Sequence, residues 1–176
     1  HAEPVTVAPS ASLWARSRLR QAAAAARVVL VAGPELPGAA AEVHALQGLH
    51  EQATVLVPPA SSVDAVTRAL DGAGLAHLAC HASIRADNPT FSSLLLSDGQ
   101  LTVHELESRA IAPYRMVLAA CESGSDVTYD GNEMLGFVST LIARGTAGLC
   151  LVGHRRDVRV RGRARHRLPR RACARR

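Results

Sequence analysis

Lysine is missing from this 176-residue chain, so its 20 basic residues other than histidine are all arginine. Aromatic residues make up only 3%, while alanine is abundant. That bias reads as the codon pressure of a GC-rich coding sequence. No 18 apolar residues run together, which excludes a membrane-spanning helix. GxGxxG, Walker A and HExxH patterns are absent, so nucleotide binding and zinc hydrolysis have no support. The start, HAEPVTVAPSASLW, lacks the charged and apolar regions of a secretory signal. Reduced thiols and a cytoplasmic location are the default expectation. The first residue is His rather than Met, which reads as a piece of something longer.

Four cysteines are present: Cys80, Cys121, Cys150 and Cys173. None forms a CxxC, and their spacings fit no zinc module. The net charge is +5, but it is unevenly spread. Residues 1–154 hold 9 Arg against 14 acids, a net of −5, while residues 155–176 hold 11 Arg against Asp157. A nucleic-acid partner argued from the basic balance would concern the tail alone, and none is expected of the body.

The 48% hydrophobic residues are enough for a core and exclude disorder of the whole chain. Residues 1–26 read as an extended lead-in or linker, with RQAAAAA (20–26) a short helix or a linker. From residue 27 the pattern is regular. Strands are expected at 27–33, 53–59, 75–81, 114–121 and 146–152. Helices are expected at 38–52, after Ser61 and Ser62 to Gly72 or Gly74, at 102–110 behind a Thr102–Glu105 capping box, and at 133–145. SLLLSDGQLTV (93–103) predicts a hairpin around Asp98-Gly99. Strands alternating with helices predict an α/β fold, a three-layer doubly wound and mostly parallel sheet, over residues 27–152. The Arg-rich remainder, 153–176, has no apolar period and is expected to be disordered. An out-of-frame read of GC-rich DNA is the leading account of it, against a basic arm for anionic partners or a solvated tail without a role.

Sites in open parallel sheets lie beyond the carboxyl ends of the strands. Two strands here end in reactive residues, HLACH in His81 and VLAAC in Cys121. If these two strands are neighbours they stand about 5 Å apart, and both side chains can share one cleft. A thiol and an imidazole there make a nucleophile and its base. Cys80 and Cys150 read as inert buried thiols. His77 reads as a core or helix-facing histidine in a different register from His81. Asn88-Pro89 and Asp98-Gly99 read as turn chemistry. Asp126 and Asp130 are an isolated loop pair, too little for a calcium site.

The segments VVLVAGPELPGAAAEV (28–43), AHLACHASIRADNPTFSSLLLSDGQLTVHEL (76–106), MVLAACESG (116–124) and GNEMLGFVSTLIARGTAGLCLV (131–152) resemble the CHAT domain family. CHAT domains are caspase-like cysteine peptidase domains, related to separase and the caspases and often found behind tetratricopeptide repeats. The resemblance covers roughly residues 4–152. It implies His81 as general base and Cys121 as nucleophile, with the backbone N–H groups of Ala82 and Cys121 holding the oxyanion. Two features depart from the family pattern. Ala82 stands where the family has Gly, and Ala restricts both positive φ and close approach. The arginine tail replaces a tryptophan- and proline-containing segment and a further helix.

The function the resemblance implies is a cysteine endopeptidase acting through a Cys–His dyad on an extended protein or peptide substrate, with no metal or organic cofactor needed. The resemblance also implies N-terminal helical repeats of a longer parent protein as its regulators. Glu122 and Glu133 read either as an acidic pocket favouring a basic residue before the scissile bond or as solvated or helix-capping carboxylates. The alternative is a non-catalytic regulatory or interaction module that keeps the caspase-like shape, favoured by Ala82 and the altered ending.

Overall fold

Short aliphatic runs become strands and the polar segments between them become helices and turns. The elements in chain order are α1 (Ala11–Leu19), β1 (Val28–Ala32), α2 (Ala39–Gln47), β2 (Thr54–Leu56), α3 (Val63–Leu70), β3 (Leu75–Ser83), β4 (Ser93–Leu96), β5 (Gly99–Thr102), α4 (Val103–Ser108), β6 (Arg115–Cys121) and β7 (Gly148–Gly153). The computed structural model describes residues 10–19, 27–83, 85, 87–109, 111–121, 139 and 141–153. The segment 20–26, the start of the helix expected from 133, the tail, and Glu122, Asp126, Asp130 and Glu133 all lie outside the described residues.

Five strands run parallel in the order β2-β1-β3-β6-β7. The β4–β5 hairpin pairs antiparallel with the last two residues of β3. The sheet is therefore seven-stranded, mostly parallel and doubly wound, as the alternation of strands and helices predicts. The chain steps from β1 outward to β2, then back across β1 to β3. That reversal places a topological switch point between β1 and β3, at whose carboxyl ends α/β sheets open a crevice.

The two faces of the sheet are covered differently. Val29, Val31, Ala76, Leu78, Cys80, Met116 and Leu118 pack against Val66 and Leu70 of α3, Val103 and Leu106 of α4, and Leu141. Each large aliphatic side chain fully buried here contributes about 1.5–3 kcal/mol. On the other face Leu30, Ala32, Ala79 and Ala119 meet Ala39 and Val43 of α2. Four of these six side chains are alanines, with Leu36 and Leu46 partly buried against them.

Local chemistry sets the boundaries. Ser62 caps α3, its hydroxyl accepting from Ala65 N–H at 3.2 Å. Gly72, at φ 67°, turns the chain out of that helix. Thr102 and Glu105 form the expected capping box on α4. Several boundaries differ from expectation. β2 ends at Leu56, before Pro58 and Pro59, which lack the N–H a ladder needs. β3 runs two residues past His81 because β4 gives it a partner there. The hairpin turn is Ser97-Asp98, with Gly99 already in β5. Residues 11–19, expected to be extended, are helical. The Ser10 hydroxyl accepts from Leu13 N–H, and Ala, Leu and Arg carry the turns. None of the side chains of α1 is buried, so it leaves no apolar period in the sequence.

Candidate active site

β3 is the middle strand of the parallel sheet and carries its side chains alternately to the two faces. Ala76, Leu78 and Cys80 enter the α3–α4 layer. His77, Ala79 and His81 belong to the α2 face, where Ala79 is packed in the core. His81 lies near the carboxyl end of β3, and its Cα register partner on β6 is Cys121. Two residues back along each strand, Ala79 and Ala119 are also register partners and are buried in the same layer under α2. Parallel neighbours stand about 4.8 Å apart, so the two expected reactive residues share one level of adjacent strand ends.

The loop between β1 and α2 closes over His81. Its ring Nε2 lies 3.0 Å from the carbonyl oxygen of Glu35. A carbonyl oxygen only accepts, so Nε2 carries the hydrogen and donates it. In the neutral ring the basic lone pair then belongs to Nδ1. Glu35 has φ 58°, and it is the one non-glycine residue with positive φ among the described residues. Such a conformation costs a non-glycine residue about 1–3 kcal/mol and persists where its surroundings enforce it. Sequence reasoning missed Glu35. Pro34 and Pro37 beside it mark a turn, but its contact follows from the order of β1 and β3 and not from the residue itself.

Gly33 begins this loop. Its N–H donates to the Ala79 carbonyl at 2.8 Å. A Cβ at position 33 would stand 2.5 Å from the Cβ of Cys80 and 2.7 Å from the carbonyl oxygen of Leu95. The end of β1, the end of β3 and the β4 strand thus converge where only glycine fits.

The remaining candidates fall into place around this centre. Ala82 stays in the strand, paired antiparallel with Leu94, and is not among the residues of positive φ. Cys80 is fully buried, and burial pushes its thiol up to about 12, so it stays protonated. Cys150 differs from expectation: it is exposed on β7, not buried. Its register partner is Val117, four residues short of Cys121, roughly 13 Å down the sheet at the strand rise. His77 faces a helix as expected, but not in a different register. An even separation along a strand keeps it on the face of His81, and its Nε2 meets the Glu42 carboxylate of α2 at 2.9 Å. Beyond β3, Arg85 and Asp87 form an exposed pair, and the guanidinium holds the Asp87 carboxyl below its ordinary value.

Among the described residues no three His, Cys, Asp or Glu side chains gather as a metal-ligand group, and no helix is long and apolar enough to cross a membrane. No curated protein matches the chain. The family model of the CHAT domain matches residues 1–165 of the 176. That match takes in every strand of the sheet and both strand ends at its centre, and it extends the resemblance drawn from the motifs: the chain belongs to the CHAT domain family.

Proposed function

We propose that this CHAT domain is a caspase-like cysteine endopeptidase in which Cys121 is the nucleophile and His81 the general base. The observation that supports this reading best is the register pairing of the two residues at the carboxyl ends of adjacent parallel strands. The Glu35 carbonyl adds to it by holding the Nε2 hydrogen of His81. Nδ1 takes the thiol proton of Cys121, and the thiolate attacks the scissile carbonyl carbon of an extended peptide. The developing oxyanion is held by backbone N–H groups near Ala82 and Cys121. The imidazolium, steadied by the Glu35 carbonyl, returns the proton from Nδ1 to the leaving amine. Water, deprotonated by the same nitrogen, then cleaves the thioester and restores the thiol.

Ala82 favours a second reading, a regulatory or interaction module that keeps the shape without the activity. Ala82 keeps its N–H and a φ that is not positive, so the two readings differ in whether that N–H meets the oxyanion, and losing one such donor costs about 10²–10³ in rate. Alkylation with iodoacetamide at pH 6, followed by peptide mapping, separates the two. An ordinary thiol reacts slowly there, whereas a thiol paired with an imidazole reacts fast. Selective labelling of Cys121 that disappears in His81→Ala supports the peptidase. Slow labelling without preference for Cys121 rejects it in favour of the module.

A further inference from the structure

The peptidase reading gives no role to the polar pair between α2 and β3, although this pair sits in the layer that carries His81. The segment from Gly33 to Glu42 is fastened to β3 at three alternate residues, through the backbone of Ala79 and the side chains of His77 and His81. Gly33 N–H donates to the Ala79 carbonyl at 2.8 Å. The Glu35 carbonyl accepts from His81 Nε2 at 3.0 Å. The Glu42 carboxylate accepts from His77 Nε2 at 2.9 Å. The segment also holds itself together, since Ala39 N–H donates to the Leu36 carbonyl and Glu42 N–H to the Gly38 carbonyl at 3.2 and 2.9 Å. Glu42 therefore ties the incoming loop to the helix with its backbone and the helix to the strand with its side chain.

The apolar part of the contact combines the methyl groups of Ala32, Ala39, Ala79 and Ala119 with the larger buried side chains of Leu30 and Val43, and such packing is non-directional. The His77–Glu42 bond is directional and largely sheltered, with the His77 side chain 10% exposed and that of Glu42 32%. The net stability from such a pair is small, because desolvation offsets the attraction, while its directional bond is met in one placement of α2 on β3.

We propose that His77 and Glu42 are positioning residues. By holding α2 in register on β3 they keep the Glu35 carbonyl on His81 Nε2, and so keep the His81 ring in the tautomer whose base is Nδ1. The inference rests on the dyad reading for its consequence in catalysis but not for the tautomer. Position 77 is the first histidine of HLACH, which the dyad leaves without a task.

The test uses the full chain and the variants Glu42→Ala and Glu42→Gln, with thermal melts to establish folding. Long-range ¹H–¹⁵N spectra read the His81 tautomer, and iodoacetamide at pH 6 reads Cys121. The expected result is a single Nε2–H tautomer for His81 in the unaltered chain and a mixture in Glu42→Ala. Labelling of Cys121 should slow roughly ten- to hundredfold in that variant, the scale on which small misplacements act. Glu42→Gln, which can still accept from His77, should restore both. An unchanged His81 tautomer in folded Glu42→Ala overturns the proposal. A tautomer shift with an ordinary Cys121 in the unaltered chain upholds the positioning role while the dyad fails. Should Glu42→Ala not melt cooperatively, Glu42→Asp, which withdraws the carboxylate by one carbon, carries the same expectation at smaller amplitude and the same refutation.

Discussion

The Nε2 of His81 and the carbonyl oxygen of Glu35 stand 3.0 Å apart, joining the end of β3 to the loop that leaves β1. The bond crosses the point where the winding of the sheet reverses. It uses the backbone of Glu35 rather than its carboxylate, which shapes what substitution there should do.

Glu35→Gly keeps the carbonyl and suits φ 58°. Relief of about 1–2 kcal/mol of left-handed strain is largely offset by the roughly 0.5–1 kcal/mol entropic cost of glycine. Stability in urea should change by less than about 1 kcal/mol, and the rate of Cys121 alkylation at pH 6 should be kept. Glu35→Ile places a β-branched residue at the same φ and should lose about 1–3 kcal/mol, together with the fast alkylation. Equal behaviour of the two variants would mean that the loop conformation does not govern His81.

Gly33→Ala should be among the most damaging small substitutions in the body. The added methyl meets Cys80 Cβ and the Leu95 carbonyl at separations that real Cβ atoms do not show. The carbonyl belongs to β4, so relief requires movement of a strand. An overpacking cost of about 1–3 kcal/mol is expected in equilibrium urea unfolding. Cys80→Gly introduced alongside should recover only part of it, because the carbonyl contact remains.

Much of this fold was legible in the sequence because its signals are local. VVLVA and RMVLAAC are apolar runs that suit strands buried on both faces, and both became central strands. The Thr102–Glu105 box and the Ser62 cap lie within one helical turn of the N–H groups they satisfy. What was not legible is tertiary. Glu35 takes a left-handed conformation that its own residue type does not favour, held by contacts with strands distant in the chain. The exposure of Cys150 depends on what covers β7, and the partner of His77 lies 35 residues away. The adjacency of His81 and Cys121 falls between the two. Each strand end could be read from its own run, but their pairing depended on strand order.

The hairpin turn should stabilise α3 from a distance. Asp98 Oδ1 accepts from Val63 N–H at 2.7 Å, and the hydroxyls of Ser61 and Ser97 are 2.8 Å apart. The Asp98 carboxylate is thus a second cap on a helix that Ser62 already caps, supplied by the β4–β5 turn. Asp98→Ala should cost about 0.5–2 kcal/mol, the range of lost caps. Since β4 also pairs with Ala82 and Ser83, amide exchange should rise in the hairpin and in the first turn of α3 together. Faster exchange in the hairpin alone would show that the two are not coupled.

Cys80 gives the protein an alkaline weakness with a defined sign. Burial raises its thiol from 9.0 to about 12 in the folded chain. Below pH 9 folded and unfolded forms both keep the proton, and the stability associated with the buried neutral thiol is fully present. Between about 9 and 12 the unfolded chain releases the proton while the folded chain retains it, so stability falls as pH rises. One proton of difference corresponds to a slope of about 1.4 kcal/mol per pH unit. With no lysine, 2 tyrosines and three other cysteines in the sequence, few other side chains titrate in this range, and removal of the thiol at position 80 isolates its share. Urea midpoints of the unaltered chain should decline from pH 9 to 10.5, and Cys80→Ala, starting lower for its lost packing, should decline less steeply. Parallel declines in the two proteins would show that the thiol at position 80 is not the group responsible.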